Sequence, residues 1–215
     1  MPVELHGYHY SVYAWVARLA LHEKGVAYSW VEINPFAANV PESYLAKHPF
    51  KRVPVLVHDK FAVYETTAIT RYVDEAFDGP HLQHENPKER ARCNQIVSIV
   101  DSYTYWPLVR QVFSHGFFSP RNGRSADADE IRQGLAAAPR VLAALEALAS
   151  EAQYLCGDRL SLADIHLAPM IGYFALVPEG QALFRAYPRL ARWWAVISER
   201  PAYRETVPRL PQPLQ

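Results

Sequence analysis

Two cysteines, Cys93 and Cys156, are all that the 215-residue chain contains. They stand far apart and form no CxxC pair, so the sequence offers neither a disulfide framework nor a thiolate zinc site. No HExxH or comparable spacing gathers the nine histidines into a metal site. A basic excess is missing too. Lys+Arg and Asp+Glu each number 22, with no Lys/Arg run, which argues against nucleic acid as a partner. An anionic pocket ligand stays open, because a local field needs no net charge. No apolar stretch approaches the ~18 residues that mark a membrane helix, and the opening MPVELHGYHY lacks the basic and apolar regions of a signal peptide. The reading is a cytoplasmic protein without membrane contact. With 50% hydrophobic and 20% charged residues, it has the composition of a globular chain with a sizeable core, as one large domain or two small ones.

Periodicity divides the chain. Val3–Gly7 is a short strand, and from Val12 the apolar positions Val16, Leu19 and Ala20 fall at helical spacing until Gly25 stops the helix. Tyr28–Ile33 is a second strand, and Glu42–Lys47 holds about one helical turn. Val55–His58 and Phe61–Tyr64 flank Asp59-Lys60 as a hairpin, and TTAITRYVDEAF is an amphipathic helix. The order is β-α-β-α-β-β-α over residues 1–78. FDGPHLQHENPKER then reads as a linker, and residues 88–215 are expected to be all-helical, with helices near Lys88–His115, Asp127–Ser150, Ser161–Leu176 and Pro188–Glu199.

Several residues are candidates for chemistry, each with a plain structural reading beside it. Pro54 cannot donate to a sheet ladder, so at the start of a strand it is a trans terminator or a cis bond. Thr66 is a natural N-cap for the helix that follows. A helix start also attracts a carboxylate, and Glu65 just before it would hold an amine, so Glu65 and Thr66 together suit both ends of an amino-acid moiety. Ser11 stands where the first strand gives way to the first helix, amid Tyr8, His9, Tyr10 and Tyr13. It is at least an N-cap, although Ala14 offers no capping-box partner.

These motifs, in order and spacing, resemble the glutathione transferases over nearly the whole chain. Gly7–Gly25 is similar without a gap to the opening of the plant phi class, down to Ala20-Leu21-His22-Glu23-Lys24-Gly25. His48-Pro49-Phe50-Lys51-Arg52-Val53-Pro54 resembles that family's Asn-Pro-Phe-Gly-Gln-Val-Pro, and Glu65-Thr66-Thr67-Ala68-Ile69 its Glu-Ser-Arg-Ala-Ile. Ser161-Leu162-Ala163-Asp164 matches its helix-capping Ser/Thr-x-x-Asp. Tyr187-Pro188, Leu190, Trp193 and Arg200-Pro201-Ala202 match its last helix. Lys51 and Arg52 depart from the family's Gly and Gln, and its His-Lys pair is missing around Asn39-Val40-Pro41.

The resemblance implies a thioredoxin-like α/β domain followed by a helical bundle, a homodimer pairing the first domain of one subunit with the second of the other, and glutathione as co-substrate. It implies a cis Pro54 that frees the backbone of Val53 to pair with a bound peptide as a strand would. Arg52, Val53, Pro54, Glu65 and Thr66 would bind glutathione, and Ser11 would donate a hydrogen bond to its thiol. A cysteine thiol has a pKa near 8.5. A helix N-terminus contributes about 0.3–1 kcal/mol, up to ~2 when partly buried, and a hydrogen bond to the charged sulfur roughly 1.5–3. Together they lower the pKa by about two units, enough to make thiolate the majority form; either alone falls short. Other classes of the family use a Tyr for this donation, which keeps Tyr8, Tyr10 and Tyr13 open as rivals. Tyr10, Tyr13, Phe36, Tyr105 and Trp106, with Tyr103 and Phe113, are the aromatic candidates for lining an electrophile pocket. The expected activity is detoxifying transfer of glutathione to a small hydrophobic electrophile. The alternatives are a glutathione-dependent isomerase or dehalogenase, or a non-catalytic binding protein on the same fold.

Overall fold

Four strands and ten α-helices with one long π-helix make up the computed structural model, which describes residues 2–212. The chain divides into two compact units, one running to Leu82 and taking in Glu205–Pro208, the other running from Gln83 to Arg204.

In the first unit, β1 (Val3–Gly7), β2 (Ser29–Glu32), β3 (Val55–His58) and β4 (Phe61–Tyr64) form one sheet in the order β2-β1-β3-β4. β1 and β2 are parallel, and the β1–β3 and β3–β4 pairs are antiparallel. α1 (Val12–Glu23) supplies the crossover between the parallel strands, and α2 (Glu42–Leu45) and α3 (Thr66–Ala76) complete the α/β order expected from the sequence. α1 and α3 pack on each other. Leu5, Leu56, Trp15, Val16, Leu19, Ile69 and Val73 are buried here, the set that strand alternation and helical periodicity select. Glycine is required at the end of β1. A Cβ on Gly7 would stand 2.6 Å from the Trp30 ring and 3.0 Å from Ala14 Cβ, so any side chain would push the strand off α1. The C-terminal segment also belongs to this unit: Trp15 Nε1–H donates to Thr206 Oγ1 at 3.0 Å, with both residues buried.

The second unit is helical: α4 (Pro87–Ile99), the π-helix Val100–Phe118, α5 (Ser119–Arg121), α6 (Ala128–Leu148), α7 (Leu162–Phe174), α8 (Pro178–Phe184), α9 (Pro188–Ile197) and the first four residues of α10 (Pro201–Thr206), whose last two belong to the first unit. The single helix expected over Lys88–His115 is thus two kinds of helix joined end to end. Beyond Ile99 the hydrogen bonds span five residues, as where Ser119 N–H reaches the Ser114 carbonyl. Pro107 sits inside this stretch; it has no N–H to give a tighter coil, and Ser114 Oγ donates to the Val109 carbonyl at 3.0 Å. α6 crosses close by: a Cβ on Gly134 would lie 2.7 Å from the Pro107 carbonyl oxygen. α8 and α10 start at prolines and escape the periodicity reading, being too short to show a repeat. α7 is buried nearly all round, as expected of a helix apolar on every face.

Asp164 anchors the start of α7. Fully buried, it accepts from the Ser161 N–H (2.8 Å) and Ser161 hydroxyl (2.7 Å) on Oδ2, and from the Leu155 N–H (2.9 Å) and Trp193 Nε1–H (2.8 Å) on Oδ1. Burial pushes its carboxyl up, and the hydrogen bonds from Leu155, Ser161 and Trp193 oppose that push.

Candidate functional site

The chain leaves β1 at Gly7, turns through Tyr8-His9-Tyr10 and enters α1 at Ser11. The turn closes with Ser11 N–H on the Tyr8 carbonyl at 2.8 Å. Glu32, at the end of β2, takes the His9 N–H on Oε1 (3.0 Å) and the Trp30 indole N–H on Oε2 (2.8 Å). The sequence reading missed this brace, and only the β1–β2 register, which sets Gly7 opposite Glu32, reveals it.

Ser11 is the N-cap of α1, in extended conformation at φ −72° and ψ 122°, and its Oγ accepts the Ala14 N–H at 3.2 Å. A serine oxygen has two acceptor sites and one proton. Capping uses an acceptor site, so it leaves the proton available for a ligand. Cap and donor are therefore compatible roles for this residue. No acidic side chain occupies the first turn of α1, so the positive end of the helix is not neutralised from within its own first turn.

The phenols beside it form an edge-to-face group. Tyr8 meets Tyr10 at 5.4 Å and Phe36 at 5.8 Å between ring centres, and Tyr10 meets His9 at 5.3 Å. Tyr8, Tyr10 and Tyr13 are half-buried, while Phe36 is 82% exposed. In the second unit Tyr105 is half-buried, and Tyr103 and Trp106 are exposed. Phe113 differs from expectation: it is buried and stacked on Tyr173 at 4.0 Å, a core residue rather than a wall.

The Val53–Pro54 bond is cis, immediately ahead of β3. Val53 makes no backbone hydrogen bond to the other described residues. Its neighbour is held from below, where the buried Tyr44 donates its hydroxyl to the Arg52 carbonyl at 2.5 Å. Arg52 is exposed, whereas Lys51, in the left-handed region at φ 51°, turns its ammonium to the Ala37 carbonyl at 3.1 Å.

Glu65, not Thr66, is the N-cap of α3, and its side chain makes no cap bond; Thr66 is the first helical residue and is buried. The reason is conformational. Glu65 sits at φ 69° and ψ 119°, a region that side chains rarely adopt and that sequence propensity does not reveal. The buried His48 ring reports where the charges lie. Burial pushes its imidazole below the usual range, the Glu65 carboxylate opposes that fall, and Arg52 adds to it. Glu65 and Arg52 therefore act on a common patch above His48, whose Nδ1 has no partner among the described residues. A separate depression of about 440 Å³, lined by Lys24, Gly25, His58 and Phe77 among others, opens beside Val3 at the other end of β1 and is bordered by none of these residues.

The family model described as glutathione S-transferase, N-terminal domain matches residues 5–81, and the C-terminal domain model matches residues 105–201. The chain is 33% identical to glutathione S-transferase F13 of Arabidopsis thaliana over 98% of its own length and 97% of that protein's. It superposes on glutathione S-transferase III in apo form with a TM-score of 0.86 at 26% identity, each chain fully covered. On glutathione S-transferase-I bound with lactoylglutathione the TM-score is 0.83 at 27% identity, over 96% of this chain and 98% of that one. Among the described residues no helix is long and apolar enough to cross a membrane.

Proposed function

The chain belongs to the glutathione S-transferase family, its relatives being plant F-type (phi-class) enzymes, and from that premise we propose that Ser11 activates the thiol of bound glutathione for attack on a small hydrophobic electrophile. The Ser11 hydroxyl donates to the sulfur, the start of α1 adds its positive end, and the thiol loses its proton to solvent. The thiolate then forms a bond to the electrophilic carbon while the leaving group departs with its electron pair. Lowered pKa and proximity carry the rate. The observation behind this reading is the capping geometry: Oγ spends a lone pair on Ala14 and keeps its proton.

In this proposal Val53 pairs its free backbone groups with the peptide, with Pro54 setting the turn. Arg52 meets a carboxylate, and Glu65 and the α3 start at Thr66 hold the γ-glutamyl end. Tyr10, Tyr13, Phe36, Tyr105 and Trp106 face the electrophile. The glutathione-binding domain is residues 1–78 and the helical domain 88–215. We further propose a homodimer in the cytoplasm with a detoxifying role. Phe50 and Phe61, 66% and 52% exposed, are apolar surface that a two-fold contact would cover. Retention on immobilised glutathione followed by an aryl-halide conjugation assay tests the activity. Binding without turnover would mark a binding protein, and turnover confined to one metabolite an isomerase or dehalogenase.

Glu65→Ala and Thr66→Ala are each expected to weaken glutathione binding about tenfold or more, the loss of one hydrogen bond to a charged group. Glu65→Gly separates side chain from backbone. It relieves a conformation costing about 1–3 kcal/mol, so its melting temperature should rise by roughly 3 °C or more while affinity falls as in the alanine variant. Calorimetric titration showing wild-type affinity in all three would move the γ-glutamyl site elsewhere. Arg52 supplies a charge where a neutral contact is usual in the family, so binding should weaken as salt rises. Arg52→Gln is expected to bind with a flatter salt response, and a response identical to wild type would show that Arg52 takes no part.

A further inference from the structure

Ser11 takes its place from the turn that precedes it. Its backbone is engaged on both sides, the N–H by the Tyr8 carbonyl at 2.8 Å and the carbonyl by the Trp15 N–H at 3.0 Å. The hydroxyl is therefore aimed by whatever holds the Tyr8-His9-Tyr10 turn. β1 pairs with β2 up to its end, where the Gly7 carbonyl accepts the Ile33 N–H at 2.7 Å. Beyond Gly7 the strand pairing ends, and the His9 amide reaches a β2 side chain instead, Glu32 Oε1 at 3.0 Å.

That side chain is itself fixed. Glu32 Oε2 takes the Trp30 indole N–H at 2.8 Å, from two residues back on the same face of β2. The Trp30 ring packs against Gly7, where a Cβ would come within 2.6 Å of it and within 3.0 Å of Ala14 Cβ. Ala14 is also the residue whose N–H Ser11 caps. From the other side the Arg18 guanidinium stands 5.7 Å from the Trp30 ring centre, with Arg18 Nε donating to the Tyr28 hydroxyl at 3.3 Å. Two N–H donors thus converge on Glu32. A carboxylate suits the place, since it offers two accepting oxygens and no proton to misplace.

We propose, resting on the reading of Ser11 as thiol donor, that Glu32 is a positioning residue for it. By tying the His9 amide to the Trp30 indole, it sets where the Ser11 hydroxyl meets the glutathione sulfur. The role needs no contact between Glu32 and glutathione. Its sign sets it apart from an effect of charge. A carboxylate close to a thiolate disfavours the anion, so a Glu32 acting through its charge would, on removal, let the thiol pKa fall. Loss of a positioning residue does the opposite: the turn drifts, the Ser11 hydrogen bond is misaligned, and the thiol pKa rises. A small drift suffices, because hydrogen bonds weaken steeply once their angle falls below ~120°.

The test follows thiolate absorbance of bound glutathione against pH, with kcat and KM for conjugation of an aryl halide. The variants are Glu32→Ala, Glu32→Gln, Ser11→Ala and the double variant Glu32→Ala with Ser11→Ala. Glu32 is exposed on an edge strand, so its variants should melt within about 3 °C of wild type. Glu32→Ala should raise the thiol pKa by about half a unit to one unit, part of what the Ser11 hydrogen bond supplies. At neutral pH kcat should fall about three- to tenfold and recover as pH rises, while KM for glutathione changes less than about twofold. Glu32→Gln keeps one accepting oxygen and should lie between wild type and the alanine variant. In the Ser11→Ala background Glu32→Ala should add nothing, because the donor it positions is gone. A thiol pKa in Glu32→Ala equal to or below that of wild type would overturn the proposal, as would an effect of the same size with and without Ser11. If Ser11→Ala alone leaves the thiol pKa unchanged, the reading of Ser11 falls and the positioning role with it. If Ser11→Ala raises the pKa and Glu32→Ala does not, only the positioning role is refuted.

Discussion

Ser11→Ala is expected to keep glutathione affinity while raising the pKa of the bound thiol by about one to two units. Turnover at neutral pH should fall roughly ten- to a hundredfold and recover as pH rises, because on the proposed mechanism the variant still binds the thiol but lacks the donor that would stabilise its anion. The helix loses its side-chain cap as well, at a cost of about 1 kcal/mol in stability, so the chemical and structural effects must be read separately. Thiolate ultraviolet absorbance against pH gives the first, and thermal melting gives the second. Tyr8→Phe, Tyr10→Phe and Tyr13→Phe are the decisive companions. Each leaves the ring in place and removes only a hydroxyl. If one of them reproduces the shift while Ser11→Ala does not, the donor is a phenol. If none of the four moves the pKa, the helix end or several donors together activate the sulfur, and Ser11 is only a cap.

Asp164→Ala is expected to be the most destabilising single change. An ordinary exposed cap is worth about 1 kcal/mol. Here one buried carboxylate serves four donors from three segments, and its removal strands the Leu155 and Ser161 amides and the Trp193 indole in the core. Each orphaned buried donor costs about 1–3 kcal/mol, so a loss of about 3 kcal/mol or more follows, seen as a fall of roughly 10 °C in melting temperature. The capping box alone would give no more than a third of this. Scanning calorimetry with Asp164→Ala and Asp164→Asn decides it. A fall of about 3 °C or less for alanine would mean the donors find other partners. Conjugation by the folded variant at low temperature should match wild type, since this residue belongs to the helical unit and serves only donors of that unit.

Local patterns made much of this legible before any coordinates. Strand alternation and helical spacing are short-range signals, so the β-α-β-α-β-β-α order and the hairpin at Asp59-Lys60 could be read directly, while the box at Ser161 to Asp164 came with the family resemblance. The position of Ser11 at the start of α1 followed from the same signals. What stayed hidden depends on backbone conformation or distant contact. Glu65 has the composition of an ordinary residue before a helix, and nothing in its neighbours announces φ 69°. The change to five-residue hydrogen bonding after Ile99 preserves apolar content and blurs its period, so the stretch reads as one helix with a proline in it. Phe113 has the same aromatic spacing as its exposed neighbours, and only packing on Tyr173 assigns it to the core.

The bond between Trp15 and Thr206 bears on the order in which the molecule can mature on the ribosome. Synthesis runs from the N-terminus, and domains generally fold as they emerge. Here the buried indole N–H of the first helix finds its acceptor only when residue 206 has left the exit tunnel, after the helical unit has been made. Until then the first unit lacks the bond from Trp15 to Thr206, a net contribution of about 0.5–1.5 kcal/mol. Synthesis of the helical unit therefore precedes the step that closes the first unit over Trp15, and a fragment ending at Leu82 should be more open to protease than the same residues in the whole chain.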